Sequence, residues 1–289
     1  MKRIKLYATC YWQDDDSLYR YLSNYSPTGR PECKNIEFTR SNNFDLSIIF
    51  TAPYKHHKKI STNSSIVFLT EPPGSKHHIN RSDIYVSKMY CPEIFWGCGK
   101  QEIDLIRKGK FDKTLCLSSV TSELSFLEGH QRRLLFIQYL DKVVQEGFSL
   151  FGRKYSGNFF KLIDSYKGEI ENKLDALINF EYHFACENSF VRDYFTEKVL
   201  QPILTETLCF YDGCTNIFDY IRPEVLIKID VNDCDRAVDM VVKSILNDEY
   251  RKRKVVLHKE SIRVRNQFNI LNIAWAEVNG KNMPDYLKL

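Results

Sequence analysis

No run of about eighteen apolar residues interrupts this sequence, so nothing in it reads as a membrane-spanning helix. The opening KRIKLYATCYW is basic, but no apolar core follows it, which excludes a secretory signal. Its alternating Ile4, Leu6 and Ala8 read as a first strand. None of the nine cysteines forms a C-x-x-C pair, and the paired spacing of a zinc site is missing. An odd number of irregularly spaced cysteines points to free or buried thiols in a reducing compartment. These absences predict a cytoplasmic protein. Charge of one sign is also scarce in excess: 41 basic against 37 acidic residues leave a net +4. That balance makes no case for nucleic acid and still allows a local cationic pocket for phosphate. There is no internal repeat and no low-complexity tract.

What is present is a chain of 289 residues, enough for two domains of about 110–150 each. Aromatics are plentiful, with 17 Tyr and 19 Phe, enough to build cores and still line a cleft with rings. Strands are predicted at 3–10, 45–50, 65–70, 83–87, 114–119, 182–186, 208–211 and 225–229. Several are near-continuous apolar runs, as in parallel strands covered on both faces. Helical spacing is predicted at 130–145 (Leu134, Leu135, Ile137, Leu140, Val143, Val144), at 167–180 and at 235–246. Alternation of the two argues for an α/β fold of two doubly wound lobes. A polar, basic stretch at 97–113 places the junction near residue 112. The lobes are then 1–112 and 113–262, with 263–289 packing back across them and a ligand crevice outside the strand carboxyl ends.

The most informative stretch runs from Phe180 to Asp230. A strand delivers Glu187-Asn188-Ser189, a loop carries Arg192, Asp193 and Tyr194, and a helix opens at Thr196-Glu197-Lys198. Thr196 fits an N-cap. The helix amides and Lys198 form a possible anion site. Asn188 and Glu197 suit ribose or sugar hydroxyls, and Tyr194 suits stacking or a phosphate oxygen. On spacing alone, a nucleotide site and an ordinary strand-loop-helix both remain open.

The same residues resemble the donor-binding signature of the α-1,3/α-1,4-fucosyltransferase family. Cys186-Glu187-Asn188-Ser189 and Asp193-Tyr194-Phe195-Thr196-Glu197-Lys198 match its ENS and DYxTEK elements, and Asn216, Phe218 and Pro223 follow in order. Upstream, Arg133 with Leu140 and then Phe151-Gly152-Arg153 resemble the family's arginine-bearing helix and its F/Y-G-R. Lys167-Gly168 and Asn172-Lys173 echo its K-G…N-K stretch. The likeness covers about residues 114–250. In the first lobe, Glu71-Pro72-Pro73 ends a strand where the family has E-S-P, with Pro72 in place of the serine.

The resemblance implies a GT-B type fold, two Rossmann-like lobes with a cleft between them. It implies an inverting transfer of L-fucose from GDP-fucose to a hydroxyl of a glycan acceptor, without metal or other cofactor. Glu71 is then the general base. Arg133, Glu187, Asn188, Tyr194, Glu197 and Lys198 bind the donor, with Arg133 and Lys198 on its diphosphate. The sequence departs from the family at Pro202, where a helix kink is expected, at Glu206 and in the bulky Leu208-Cys209-Phe210-Tyr211 strand. These changes keep open a different donor such as a UDP-pentose. A non-catalytic sugar-nucleotide-binding module is the further alternative.

Other features have plainer readings. Asp14-Asp15-Asp16 and Asp233-Cys234-Asp235 spell D-x-D but read as turns and caps. His77-His78 reads as a solvated loop pair, and His56-His57 before Lys58-Lys59 as an exposed basic turn. Arg251-Lys252-Arg253-Lys254 reads as a solvated helix end.

Overall fold

The computed structural model of the protein describes residues 2–55, 64–79, 84–155, 157–281 and 283–289. The His56–Lys59 turn and the first residue of the strand expected at 83–87 lie outside them. The described residues fall into two compact units, Met1–Ile94 with Asn266–Lys288, and Phe95–Arg265 with Leu289.

The first unit is built on a sheet of β1 (Ile4–Cys10), β2 (Glu32–Cys33), β3 (Ile36–Phe38), β4 (Leu46–Phe50), β5 (Ser65–Leu69) and β6 (Tyr85–Tyr90). Its strand order is β2-β3-β1-β4-β5-β6. The β2–β3 pair is an antiparallel edge, and the rest is parallel. Strand β1 lies inside the sheet, which is why Leu6 through Cys10 are buried on both faces. Helix α1 (Asp15–Asn24) follows it, capped by Asp14, whose side chain accepts from the Ser17 amide. Its Leu18 and Leu22, four residues apart, face the core.

The second unit opens with α2 (Lys100–Lys108) and then builds a wholly parallel sheet from β7 (Leu115–Ser122), β8 (Phe148–Arg153), β9 (Tyr166–Gly168), β10 (Phe180–Cys186), β11 (Leu208–Asp212) and β12 (Leu226–Lys228). The spatial order β9-β8-β7-β10-β11-β12 is the 3-2-1-4-5-6 order of a doubly wound nucleotide-binding sheet. Its helices are α3 (Glu128–Val144), α4 (Glu197–Leu204), α5 (Cys234–Leu246) and α6 (Glu249–Gln267). The chain then returns to the first unit as α7 (Ile270–Val278) and α8 (Met283–Leu287).

The structure draws the division at 94/95 rather than near 112. Helix α2 buries Ile103 and Ile106, and the Arg265 guanidinium donates to the carbonyls of Ile106 and Arg107, so this segment is part of the second unit's own packing. The helix expected at 167–180 is absent. In its place stand β9, a 3-10 turn at Lys173–Ala176 and the start of β10. The Asn172 side chain accepts from the Leu174 amide, a local bond that competes with helix formation. The leucines that looked helical, Leu174 and Leu177, are buried by the turn instead. Helix α4 runs only two residues past Pro202, and its end closes through the Thr205 amide on Gln201 and the Thr207 amide on Pro202.

Candidate functional site

Beyond the carboxyl ends of β7, β8 and β10 lies a cavity of about 450 Å³, lined entirely by second-unit residues. It sits at the point where strand order reverses between β7 and β10, the place where doubly wound sheets bind ligands. Two helices begin there. Helix α3 follows β7 and has no side-chain cap on its first-turn amides. Helix α4 follows β10 and is capped by Thr196. Gly129 lets the first turn of α3 close on the end of β10, because a Cβ there would meet the carbonyl oxygens of Glu187 and Asn188 at 2.6 Å.

The buried face of α3 shares only Ile137 and Leu140 with the one its aliphatic residues suggested. Leu135 and Val143 are exposed, whereas His130, Arg133, Phe136, Ile137 and Leu140 are buried. Arg133 is only 5% exposed. Its Nη1 donates to Asn188 Oδ1 at 3.3 Å, and its buried Nε has no protein partner. Burial lowers its pKa. A buried guanidinium with an unused donor beside a cavity is arranged for an anion.

Lys198 reaches the same cavity from α4, held by a fully buried carboxylate. Glu187 Oε2 accepts from Lys198 Nζ at 3.0 Å, and its Oε1 accepts from the Thr196 amide at 2.8 Å and hydroxyl at 2.9 Å. Burial works against charge on Lys198, but Glu187 and Glu197 outweigh it and raise its pKa. Glu197 accepts from Lys173 Nζ at 3.2 Å. Burial favours its neutral form, and Lys173 and Lys198 reverse that, leaving its pKa below the usual value.

Arg133, Asn188, Glu197 and Lys198 therefore converge on one cavity, as the sequence predicts. Two expected donor contacts do not. Glu187 is fully buried with both oxygens engaged, so it positions Lys198 and Thr196 rather than facing the cavity. Tyr194 is 3% exposed and lies outside the lining, packed in the core. Sequence reasoning passed over His130 and Lys173, which both line the cavity. The signal for His130 was its place three residues before Arg133, on the same helical face. Lys173 stood in the Asn172-Lys173 pair already noted.

Glu71 belongs to the first unit, just past β5. It accepts from Tyr11 Oη at 2.7 Å, so the ends of β1 and β5 are tied together at its carboxylate. Burial and Glu71 raise the Tyr11 pKa, which keeps the phenol protonated and donating. His77 stacks on Tyr11 at 4.5 Å, and His78 Nε2 lies 3.1 Å from the Glu71 carbonyl oxygen, so this loop pair, with His77 exposed and His78 half-buried, has partners around Glu71.

The acidic triplets act as caps. Asp14 caps α1, Asp15 accepts from Tyr7 Oη, and Asp233 caps α5. Among the described residues no three His, Cys, Asp or Glu side chains gather as a metal site. The basic run 251–254 opens α6 rather than ending a helix, and Arg251, Lys252 and Arg253 pair with Asp248 and Glu249. No described helix is long and apolar enough to cross a membrane.

No family model matches the chain. Comparison with solved structures gives the class first: the fold is that of the GT-B glycosyltransferases. A crystal structure of an alpha1,3-fucosyltransferase aligns with a TM-score of 0.52 at 14% identity, covering 88% of this chain and 81% of that one. A glycosyltransferase from Rickettsia africae aligns with a TM-score of 0.51 at 9% identity, covering 96% and 97%. Both likenesses are of fold.

Proposed function

We propose that this protein is an inverting glycosyltransferase that moves L-fucose from GDP-fucose to a hydroxyl of a glycan acceptor. The observation that carries the reading is the pairing of Lys198 with the half-satisfied Arg133 at a cavity where α3 and α4 both begin. Helix amino ends favour anions, and two fixed cations beside them suit a diphosphate. Asn188 and Glu197 supply hydrogen bonds for donor hydroxyls.

Chemistry at this site needs the leaving diphosphate stabilised as the glycosidic C–O bond breaks. Lys198 and Arg133 do so by preorganised charge, a contribution of about 3–4 kcal/mol per contact in comparable sites. With that charge in place the reaction requires no metal. The attacking hydroxyl must lose its proton, and Glu71 is the proposed base. Attack opposite the leaving group inverts the anomeric carbon, and no covalent intermediate forms.

The test is a panel of nucleotide sugars offered with a mixed glycan pool, products being read by mass spectrometry. Fucose transfer from GDP-fucose is expected. Cleavage of another donor, such as a UDP-pentose, with GDP-fucose inert would replace the fucose assignment while keeping the fold and the cationic pocket. Glu71→Gln is expected to bind donor normally and to lose transfer. Loss of donor binding instead would mark Glu71 as a structural residue.

A further inference from the structure

One cavity-lining group has no part in the mechanism above. His130 stands in the first turn of α3, is 3% exposed, and lines the same cavity as Arg133, Asn188 and Lys198. The Leu127 amide donates to its Nδ1 at 3.4 Å, so the neutral ring carries its proton on Nε2. Phe126 packs against the ring edge-to-face with centroids 4.7 Å apart, which fixes its orientation.

We propose that His130 is a third ligand of the donor diphosphate, donating from Nε2–H to a phosphate oxygen, and that it takes up one proton from solvent as the donor binds. This inference rests on the diphosphate reading of the cavity. Its argument is the sign of the surrounding charge. On its own helix His130 faces Arg133. From α4 it meets Lys198, and from just past β10 the Asn188 side chain hydrogen-bonds the ring and favours its charged form, a bond that the phosphate oxygen replaces. The acids nearby are already committed, Glu187 to Thr196 and Lys198, and Glu197 to Lys173. Burial first, and then Arg133 and Lys198, hold the ring neutral and push its pKa down to about 4. A diphosphate set between these cations brings two negative charges to the ring and reverses that balance. The imidazolium then adds a third positive charge to the leaving group, and its proton returns to solvent when the nucleoside diphosphate departs.

The experiment is titration calorimetry of GDP-fucose, without acceptor, at several pH values between 5 and 7. Each pH is run in two buffers of different ionisation heat. The sugar nucleotide is the probe because neither of its phosphates titrates in this range, unlike the terminal phosphate of GDP. Proton uptake that grows as pH falls is expected for the natural chain. In His130→Gln the uptake should vanish and affinity at pH 6 should fall by about ten-fold. His130→Asn serves the same purpose should the first variant fold poorly. Equal uptake in both variants and the natural chain, or binding without uptake in the natural chain, overturns the role of His130 alone. Failure of every nucleotide sugar to bind overturns the diphosphate reading itself, and this inference with it.

Discussion

Glu187 and Lys198 act as one unit. The lysine is 22% exposed and the carboxylate not at all, so the pair has one end in the cavity and one in the core. Lys198→Ala is expected to lower kcat by about 10²–10³. It also strands a buried carboxylate, so some loss of thermal stability should accompany it. Glu187→Ala should lower kcat as well, because Lys198 then loses the contact that aims it. Adding Glu187→Ala to Lys198→Ala should cost little further activity, since the second change acts through the first. Kinetics of the two single variants and the double variant measure this. Independent, multiplying losses would show Glu187 acting on its own. This division of labour was hidden in the sequence, where Glu187, Asn188, Glu197 and Lys198 look alike as polar residues in one motif. Position along the chain shows that they gather; only burial separates the carboxylate that faces the cavity from the one beneath it.

At the level of elements, the parallel strands were legible because a strand covered on both faces must be apolar throughout. Strands β4, β5, β10 and β11 begin and end within about two residues of their predicted limits. The short β2, β3 and β9 were missed, since two or three residues carry no readable period, and the six-residue β8 was missed as well. Helix α3 was found, and Ile137 and Leu140 of its expected face are buried, but the first turns of that face carry His130 and Arg133 in place of apolar residues, so its full extent was not read. Function had overwritten the pattern there. The closing segment supplies a test of its own. Helix α7 buries Ile270, Leu271, Ile273, Ala274 and Ala276, and Glu277 accepts from Tyr85 Oη at 2.7 Å and Ser87 Oγ at 3.2 Å on β6. A chain ending at Arg265 should therefore lose the first unit's fold. Hydrogen exchange would show β1, β4 and β5 exchanging at unfolded rates. Protected amides in those strands would show that the first unit stands without α7.

For the whole molecule, acid is the expected weakness. His130 is held down to about 4 and His183 down to about 3, in both cases chiefly by burial. His183 lies 2.8 Å from Ser118 Oγ through its Nδ1. An unfolded histidine takes up its proton near pH 6.5. From there down to pH 4.5 the unfolded chain binds protons at these two sites that the folded chain refuses. Stability should fall with pH across that window, approaching about 1.4 kcal/mol per pH unit for each histidine. Denaturant melts at pH 7, 6 and 5 measure the slope, and His183→Gln should remove its share. A flat profile would mean that the unfolded chain gains no such protons.

The return of the chain to its starting unit has a consequence for synthesis. Residues 95–265 are synthesised before residues 266–288, which complete the first unit. The portion that holds the cationic pocket can therefore complete its sheet while the earlier-made strands still wait for their last helices. The earlier-made of the two units is the later one to be finished, and until then the exposed edges of that early sheet are the ones most open to wrong pairing.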